Sequence, residues 1–324
     1  MRSRSSTAPS RCGRAPSPTP RREAAILDRL GGLYRDRAEL DRAESAHRRA
    51  IGVLEGAGLG DSLDLGSALN KLAIVRRRHG DLDEAARLLE RSIELSERFE
   101  EQPSANLATS LANLGGLYQT RGESEAAIAT IRRSMDLFAQ LLPADHPNFA
   151  VLWMNTATSY RALGRLGEAK RSAEQALAID RKAFPLGHPG IADDLHGLGA
   201  IELRLGHLAA ARAAFNEGLS IVEAALGPDN FRTTFHRASL GSVALAAGDA
   251  EAALSYLEPV VEQLAGSDDP RAARHSIGYL RQVVEAQRRL GALDRAGAAL
   301  GRAETLVEAE GTDADRALLA LEAA

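Results

Sequence analysis

The chain has 324 residues, 44% of them hydrophobic, 26% charged and 4% aromatic, with a formal net charge of −4. That balance suits a folded chain rather than a disordered or membrane-embedded one, and the shortage of aromatics argues against a β-sandwich or propeller. A single cysteine excludes a disulfide framework and any cysteine-based zinc site.

Residues 1–22 form a leader with six arginines (Arg2, Arg4, Arg11, Arg14, Arg21, Arg22), four prolines, five serines and no acid. Its only apolar residues are Met1, Ala8, Cys12 and Ala15, so it cannot bury a core and is expected to be disordered. It has no apolar h-region and is not a secretory signal. A solvated leader, or a start codon placed too far upstream, explains it better than a transit peptide or a nucleic-acid arm. Because the whole chain sums to −4 and the leader holds six arginines, residues 23–324 sum to −10. An acidic body disfavours attraction to nucleic acid or anionic lipid. No stretch reaches the roughly 18 consecutive apolar residues of a membrane span. The expectation is a cytoplasmic protein with neither nucleic acid nor membrane as partner.

From residue 23 the chain repeats. Gly80, Gly122, Gly164, Gly206 and Gly248 stand 42 residues apart, with Ala38 before them by the same step and Gly291 after them by 43. Five residues after each comes alanine: Ala43, Ala85, Ala127, Ala169, Ala211, Ala253 and Ala296. Twelve residues before each alanine stands Gly31, Ala73, Gly115, Ala157, Gly199, Gly241 or Val284, usually preceded by leucine (Leu30, Leu72, Leu114, Leu198, Leu240). A third small column follows the alanines: Ala50, Ser92, Ser134, Ala176, Gly218 and Ala303, with Val260 the exception. Two antiparallel helices per repeat account for this, small side chains sitting where backbones approach. Within residues 85–95, Ala85, Leu88, Leu89, Ser92 and Ile93 recur at helical spacing, opposite Arg87, Glu90, Arg91 and Glu94. Turns between repeats are marked by Pro103, Asp145-His146-Pro147, Gly187-His188-Pro189, Gly227-Pro228-Asp229-Asn230 and Asp268-Asp269-Pro270.

Leucine, glycine and tyrosine in a first helix, then alanine twelve after the glycine, is the tetratricopeptide pattern. Residues 111–137 (L-A-N-L-G-G-L-Y-Q-T-R-G-E-S-E-A-A-I-A-T-I-R-R-S-M-D-L) carry it well. With a 42-residue period and the D-H-P turn, the chain resembles the kinesin-light-chain-like branch of tetratricopeptide repeats, from residue 23 to about 309. The resemblance implies an all-α fold, an α-solenoid superhelix of about seven helix-turn-helix repeats forming one domain over residues 23–310. Residues 311–324 then form a C-terminal capping helix or a truncated eighth repeat. Bacterial proteins also carry such repeats, often beside a kinase, NTPase or protease-like domain, and none of these is evident in the sequence.

Motifs for chemistry are missing. Lys71, Lys170 and Lys182 are the only lysines and none follows a glycine, so there is no G-K-[ST] phosphate loop. Gly56-Ala57-Gly58-Leu59-Gly60 follows a helix and coincides with the first inter-repeat linker, so it is a plain loop. Glu44…His47 and Asp193…His196 have the spacing for two ligands on one helix face. His47, however, falls in a packing column with Leu89, Ile131 and Phe215. His146 and His188 belong to the turns. No H-E-x-x-H or G-x-S-x-G motif occurs. The expectation is no enzyme, no cofactor and no metal.

Binding is the activity that the resemblance implies, in the concave groove lined by the first helix of each repeat. There, one and two residues before the leucine column, stand Asn70-Lys71, Asn113, Asn155 and His196. Five and six residues after that column come Arg77-Arg78, Arg161 and Arg204, with Arg35 and Arg288-Arg289 in the end repeats. Asparagine can pair with a peptide backbone whatever its sequence. The arginines fit either of two roles: offsetting the negative end of a helix, or meeting acidic side chains. The function expected is a non-catalytic scaffold for a protein or an extended, acidic peptide. The alternative is a regulatory or sensor module acting with a separate kinase or NTPase.

Overall fold

The computed structural model describes residues 19–99, 103–267 and 272–310. The leader up to residue 18 with Cys12, the Asp268–Pro270 turn and the segment 311–324 lie outside them. The described residues form fourteen α-helices and no strand. In pairs they are α1 (Pro20–Asp36) with α2 (Leu40–Gly56), α3 (Leu63–His79) with α4 (Leu82–Phe99), and α5 (Ala105–Thr120) with α6 (Ser124–Phe138). Next come α7 (Pro147–Ala162) with α8 (Leu166–Ala183), α9 (Pro189–Arg204) with α10 (Leu208–Leu226), α11 (Phe231–Ala246) with α12 (Ala250–Ala265), and α13 (Ala272–Arg289) with α14 (Leu293–Glu310). We call the first of each pair the A helix and the second the B helix. Helix α1 begins at Pro20, ahead of the expected start at 23, because proline suits the first turn of a helix.

Two compact units divide the chain. One holds the residues up to Arg121 together with Asp136–Leu141; the other holds Gly122–Met135 and the residues from Leu142 on. In the first, α1 packs on α2, α2 on α3, α3 on α4 and α4 on α5, while the A helices α1, α3 and α5 touch in sequence. In the second, α7 to α14 follow the same scheme, with α7, α9, α11 and α13 in contact as neighbours.

The turn glycines are explained by backbone geometry. Gly80, Gly122, Gly164, Gly206, Gly248 and Gly291 have φ between 73° and 86°, the left-handed region, and Ala38 is driven to φ 60° at the same place. The next amide reaches back five residues to close the A helix: Glu39 to the Tyr34 carbonyl, Asp81 to Arg76, His207 to Glu202, all at 2.9–3.0 Å. This Schellman closure sets the hairpin angle, so the glycine recurs with the repeat.

The small columns are explained by packing. Six of the seven alanines have no exposed surface, and Ala296 has 5%. Small and large residues face each other across three of the hairpins. A Cβ on Gly31 would lie 2.6 Å from the His47 ring, one on Gly199 2.7 Å from Phe215, and one on Gly241 2.6 Å from Leu257. Histidines also shape two of the connections, as expected. His146 and His188 cap α7 and α9, their Nδ1 atoms accepting from the amides of Asn148 (3.2 Å) and Gly190 (3.1 Å), ahead of Pro147 and Pro189 in the first turn.

Candidate A-helix binding face

In the first unit, Asn70 of α3 is buried and its amide is fully engaged. Its Nδ2 donates to Ser110 Oγ at 3.1 Å, and its Oδ1 accepts from Asn113 Nδ2 of α5 at 2.7 Å. Ser110 Oγ lies 3.0 Å from Ser92 Oγ, which donates to the Gly66 carbonyl. Asn70 is therefore the buried base of a polar chain whose outer member is the half-buried Asn113. Lys71 reaches back to α1, donating to Asp28 Oδ2 at 2.7 Å, while His47 Nδ1 contacts Asp28 Oδ1 at 2.9 Å. Burial alone would push the Asp28 carboxyl up, but the bonds to His47 and Lys71 hold it below the usual carboxylate range. His47 is fully buried, as its packing column implies.

Arginines in successive positions at the end of α3 take three different roles. Arg76 is ringed by the carboxylates of Glu44, Asp81 and Glu84. Arg78 donates to the Arg35 carbonyl of α1 at 3.2 Å. Arg77 lies across Gly116 of α5, where a Cβ would come 2.8 Å from Nη1, so the missing side chain makes room for the guanidinium. Arg77 is half-buried and faces no carboxylate among the described residues. Burial, then the charge of Arg78, holds it below the ordinary guanidinium value.

In the second unit, Arg204 of α9 donates to the Arg161 carbonyl of α7 at 2.7 Å, and Arg289 of α13 donates to Leu245 of α11 at 2.9 Å. Arg78, Arg204 and Arg289 thus satisfy carbonyls at the C-terminal end of the preceding A helix, where a cation is favoured. Arg161 repeats the situation of Arg77. It is half-buried, with no carboxylate beside it among the described residues. Burial and then Arg204 lower its pKa. Asn155, also on α7, is half-buried.

His196 of α9 shares a hydrogen bond with Ser239 Oγ at 3.1 Å and packs near Phe215 (5.5 Å between ring centres), Phe235 (6.2 Å) and His236 (5.2 Å). Burial, then Arg161, lowers its pKa, so His196 is neutral beside the guanidinium. His236 is buried against Gly218, and burial followed by His196 brings its pKa down to about 4.

One buried group was not legible as a site residue. Asp180 of α8 and Asp194 of α9 are 8% and 5% exposed and hydrogen-bonded to each other, leaving Asp180 Oδ1 and Asp194 Oδ2 without partners among the described residues. Burial, then Asp180 and Asp193, pushes Asp194 up to about 8. Asp193, singled out with His196 for its spacing, instead pairs with Arg232 at 3.4 Å. No group of three His, Cys, Asp or Glu side chains among the described residues is arranged to hold a metal. None of the described helices is long and apolar enough to cross a membrane. Gly58 (φ 74°) turns the linker after α2, as a plain loop does.

The tetratricopeptide repeat family model matches residues 22–98, 105–182 and 190–265. Among solved structures, kinesin-light-chain repeats from Podosopora anserina are 22% identical and cover 62% of this chain and 96% of theirs, with a TM-score of 0.54. The apo form of RapI is 17% identical over 88% of this chain and 98% of its own, with a TM-score of 0.68. A Rap protein complexed with competence and sporulation factor is 16% identical over 90% of this chain and 77% of its own, with a TM-score of 0.64. At these identities the likeness is one of fold. Comparison with curated protein sequences finds no match.

Proposed function

The chain belongs to the tetratricopeptide repeat family, and we propose that it is a non-catalytic scaffold whose two units each hold an acidic peptide segment on their own A helices. The observation that carries this reading is the pair Arg77 and Arg161. One lies in each unit; they occupy the same position in their repeats, are half-buried, and face no carboxylate among the described residues, in a chain with 44 acidic residues. Removing part of a cation's hydration without supplying a partner is costly. An incoming carboxylate offsets that cost through a bidentate, charge-assisted pair. Asn113, held by Asn70, has a carbonyl oxygen left to accept a peptide N–H. A Rap protein of similar fold, solved in complex with competence and sporulation factor, supports a binding role for the fold.

Partner capture on the immobilised full chain tests the reading. Proteins with acidic segments should be enriched, then lost from an Arg77→Glu/Arg161→Glu variant and kept by Arg91→Glu on the B helix α4. Loss on changing Arg91, with retention by the A-helix variant, would move the site to the B helices.

A further inference from the structure

Ile26, Leu30 and Leu33 line one face of α1 at helical spacing and are 55%, 37% and 61% exposed. Ala24, Leu27, Asp28 and Gly31 of the same helix are buried. The repeat register identifies the exposed face. The residues in the place of Leu33 in the other A helices are Val75, Leu117, Ser159, Ile201, Val243 and Ala286, none more than 1% exposed. Those in the place of Ile26 include Ala68, Ser110, Leu152, Asp194 and His236, all at 5% or less. Leu72, Leu114 and Leu240, in the place of Leu30, are at 1%, 6% and 4%. Within the first unit, α3 packs on the α1–α2 pair and α5 on α3 and α4. Among the described residues, no helix precedes α1. Its exposed face is therefore the free half of a repeat-stacking interface, where a terminal repeat ordinarily presents polar groups. Three large aliphatic side chains side by side mark a contact surface.

Residues 1–18 offer four apolar residues dispersed among arginines, prolines and serines, and so provide no matching apolar surface. A second α1 does. Antiparallel pairing centred near Leu30 sets Ile26 of each copy against Leu33 of the other, with Leu30 meeting Leu30 at the two-fold axis. It also brings Glu23 of each copy opposite Arg37 of the other. Both side chains are exposed and without a hydrogen-bond or ion-pair partner among the described residues. Parallel pairing would instead oppose like charges. We propose that this face is an isologous dimer interface, α1 of one copy packing antiparallel on α1 of a second copy. The patch is small, so the dimer is weak and reversible.

Sedimentation velocity on the full chain, from low-micromolar to several hundred micromolar, tests this. The wild type should move from monomer to dimer across that range. Ile26→Glu/Leu33→Glu should stay monomeric with unchanged helicity, since both side chains are exposed in the single chain. Glu23→Arg or Arg37→Glu alone should weaken the dimer by roughly two- to tenfold, and the two together should restore it. A wild type that stays monomeric throughout overturns the proposal. So do Glu variants that associate like the wild type, or a charge swap that regains nothing. Species larger than a dimer would indicate head-to-tail stacking of α1 on another copy's α14 and would also overturn it.

Discussion

Arg204 donates to the carbonyl of Arg161 at 2.7 Å, tying α9 to the end of α7, while the Arg161 guanidinium itself has no carboxylate beside it among the described residues. Two arginines of adjacent repeat-end positions thus divide the work. One closes the helix, and the other is left half-buried with no carboxylate beside it among the described residues.

That division predicts opposite outcomes for neighbouring arginines of α3. Arg77→Met should leave stability unchanged within about 0.5 kcal/mol, since no ion pair is lost. Arg76→Met should cost about 1–3 kcal/mol, because Glu44, Asp81 and Glu84 lose the cation between them. Urea unfolding of the two variants makes the comparison, and equal losses would show that Arg77 has a partner after all.

Ala38 holds a left-handed conformation that its six counterparts meet with glycine. Ala38→Gly should therefore stabilise by about 0.5–1 kcal/mol, after allowing for the added freedom of the unfolded chain. Gly206→Ala should destabilise by about 1–2 kcal/mol. Matched thermal unfolding of both variants gives the two signs directly.

Ala169 has no exposed surface and packs with Ala157 and Ala173 in the core of the α7–α8 hairpin. Ala169→Leu should overpack that crossing and cost roughly 1–3 kcal/mol. An unchanged unfolding temperature would mean that the small columns do not mark close approach.

Asp194 predicts an unusual pH dependence. Its folded pKa of about 8 lies above the ordinary carboxylate value. Its contribution is fully present below the unfolded pKa of about 4 and is lost as pH rises through 8, with a slope of at most about 1.4 kcal/mol per pH unit. His236, held near 4, acts in the other direction, losing stability as pH falls. The informative quantity is therefore the difference between wild type and Asp194→Asn, measured by unfolding from pH 5 to pH 8. The variant should gain on the wild type as pH rises, and parallel curves would rule out the raised Asp194 pKa.

Much of the fold was legible because the features that define it recur. Gly80 and its counterparts need a positive φ, and Ala85 and its counterparts need a small side chain, so geometry writes a 42-residue period into the chain. The placing of His146 and His188 in turns was legible from the prolines after them, whereas their capping of α7 and α9 was not. Pairings across repeats were not legible. Periodicity places Asn70, Asn113 and Arg78 on A helices. It does not show that Asn70 is spent on Ser110 and Asn113, or that Arg78 turns to a carbonyl 43 residues back. The Asp180–Asp194 pair escaped for the same reason, since each looks like an ordinary surface acid within its own helix.

The central claim is that the unpartnered arginines of the A helices receive carboxylates. Fluorescence anisotropy of a labelled glutamate-rich peptide against the full chain tests it most directly, with a peptide carrying glutamine in place of glutamate as control. The acidic peptide should bind with an affinity that weakens with salt and falls roughly tenfold or more in Arg77→Gln or Arg161→Gln, and the control should not bind. Equal binding of both peptides, or undiminished binding of the acidic one by the Arg77→Gln/Arg161→Gln double variant, would contradict it.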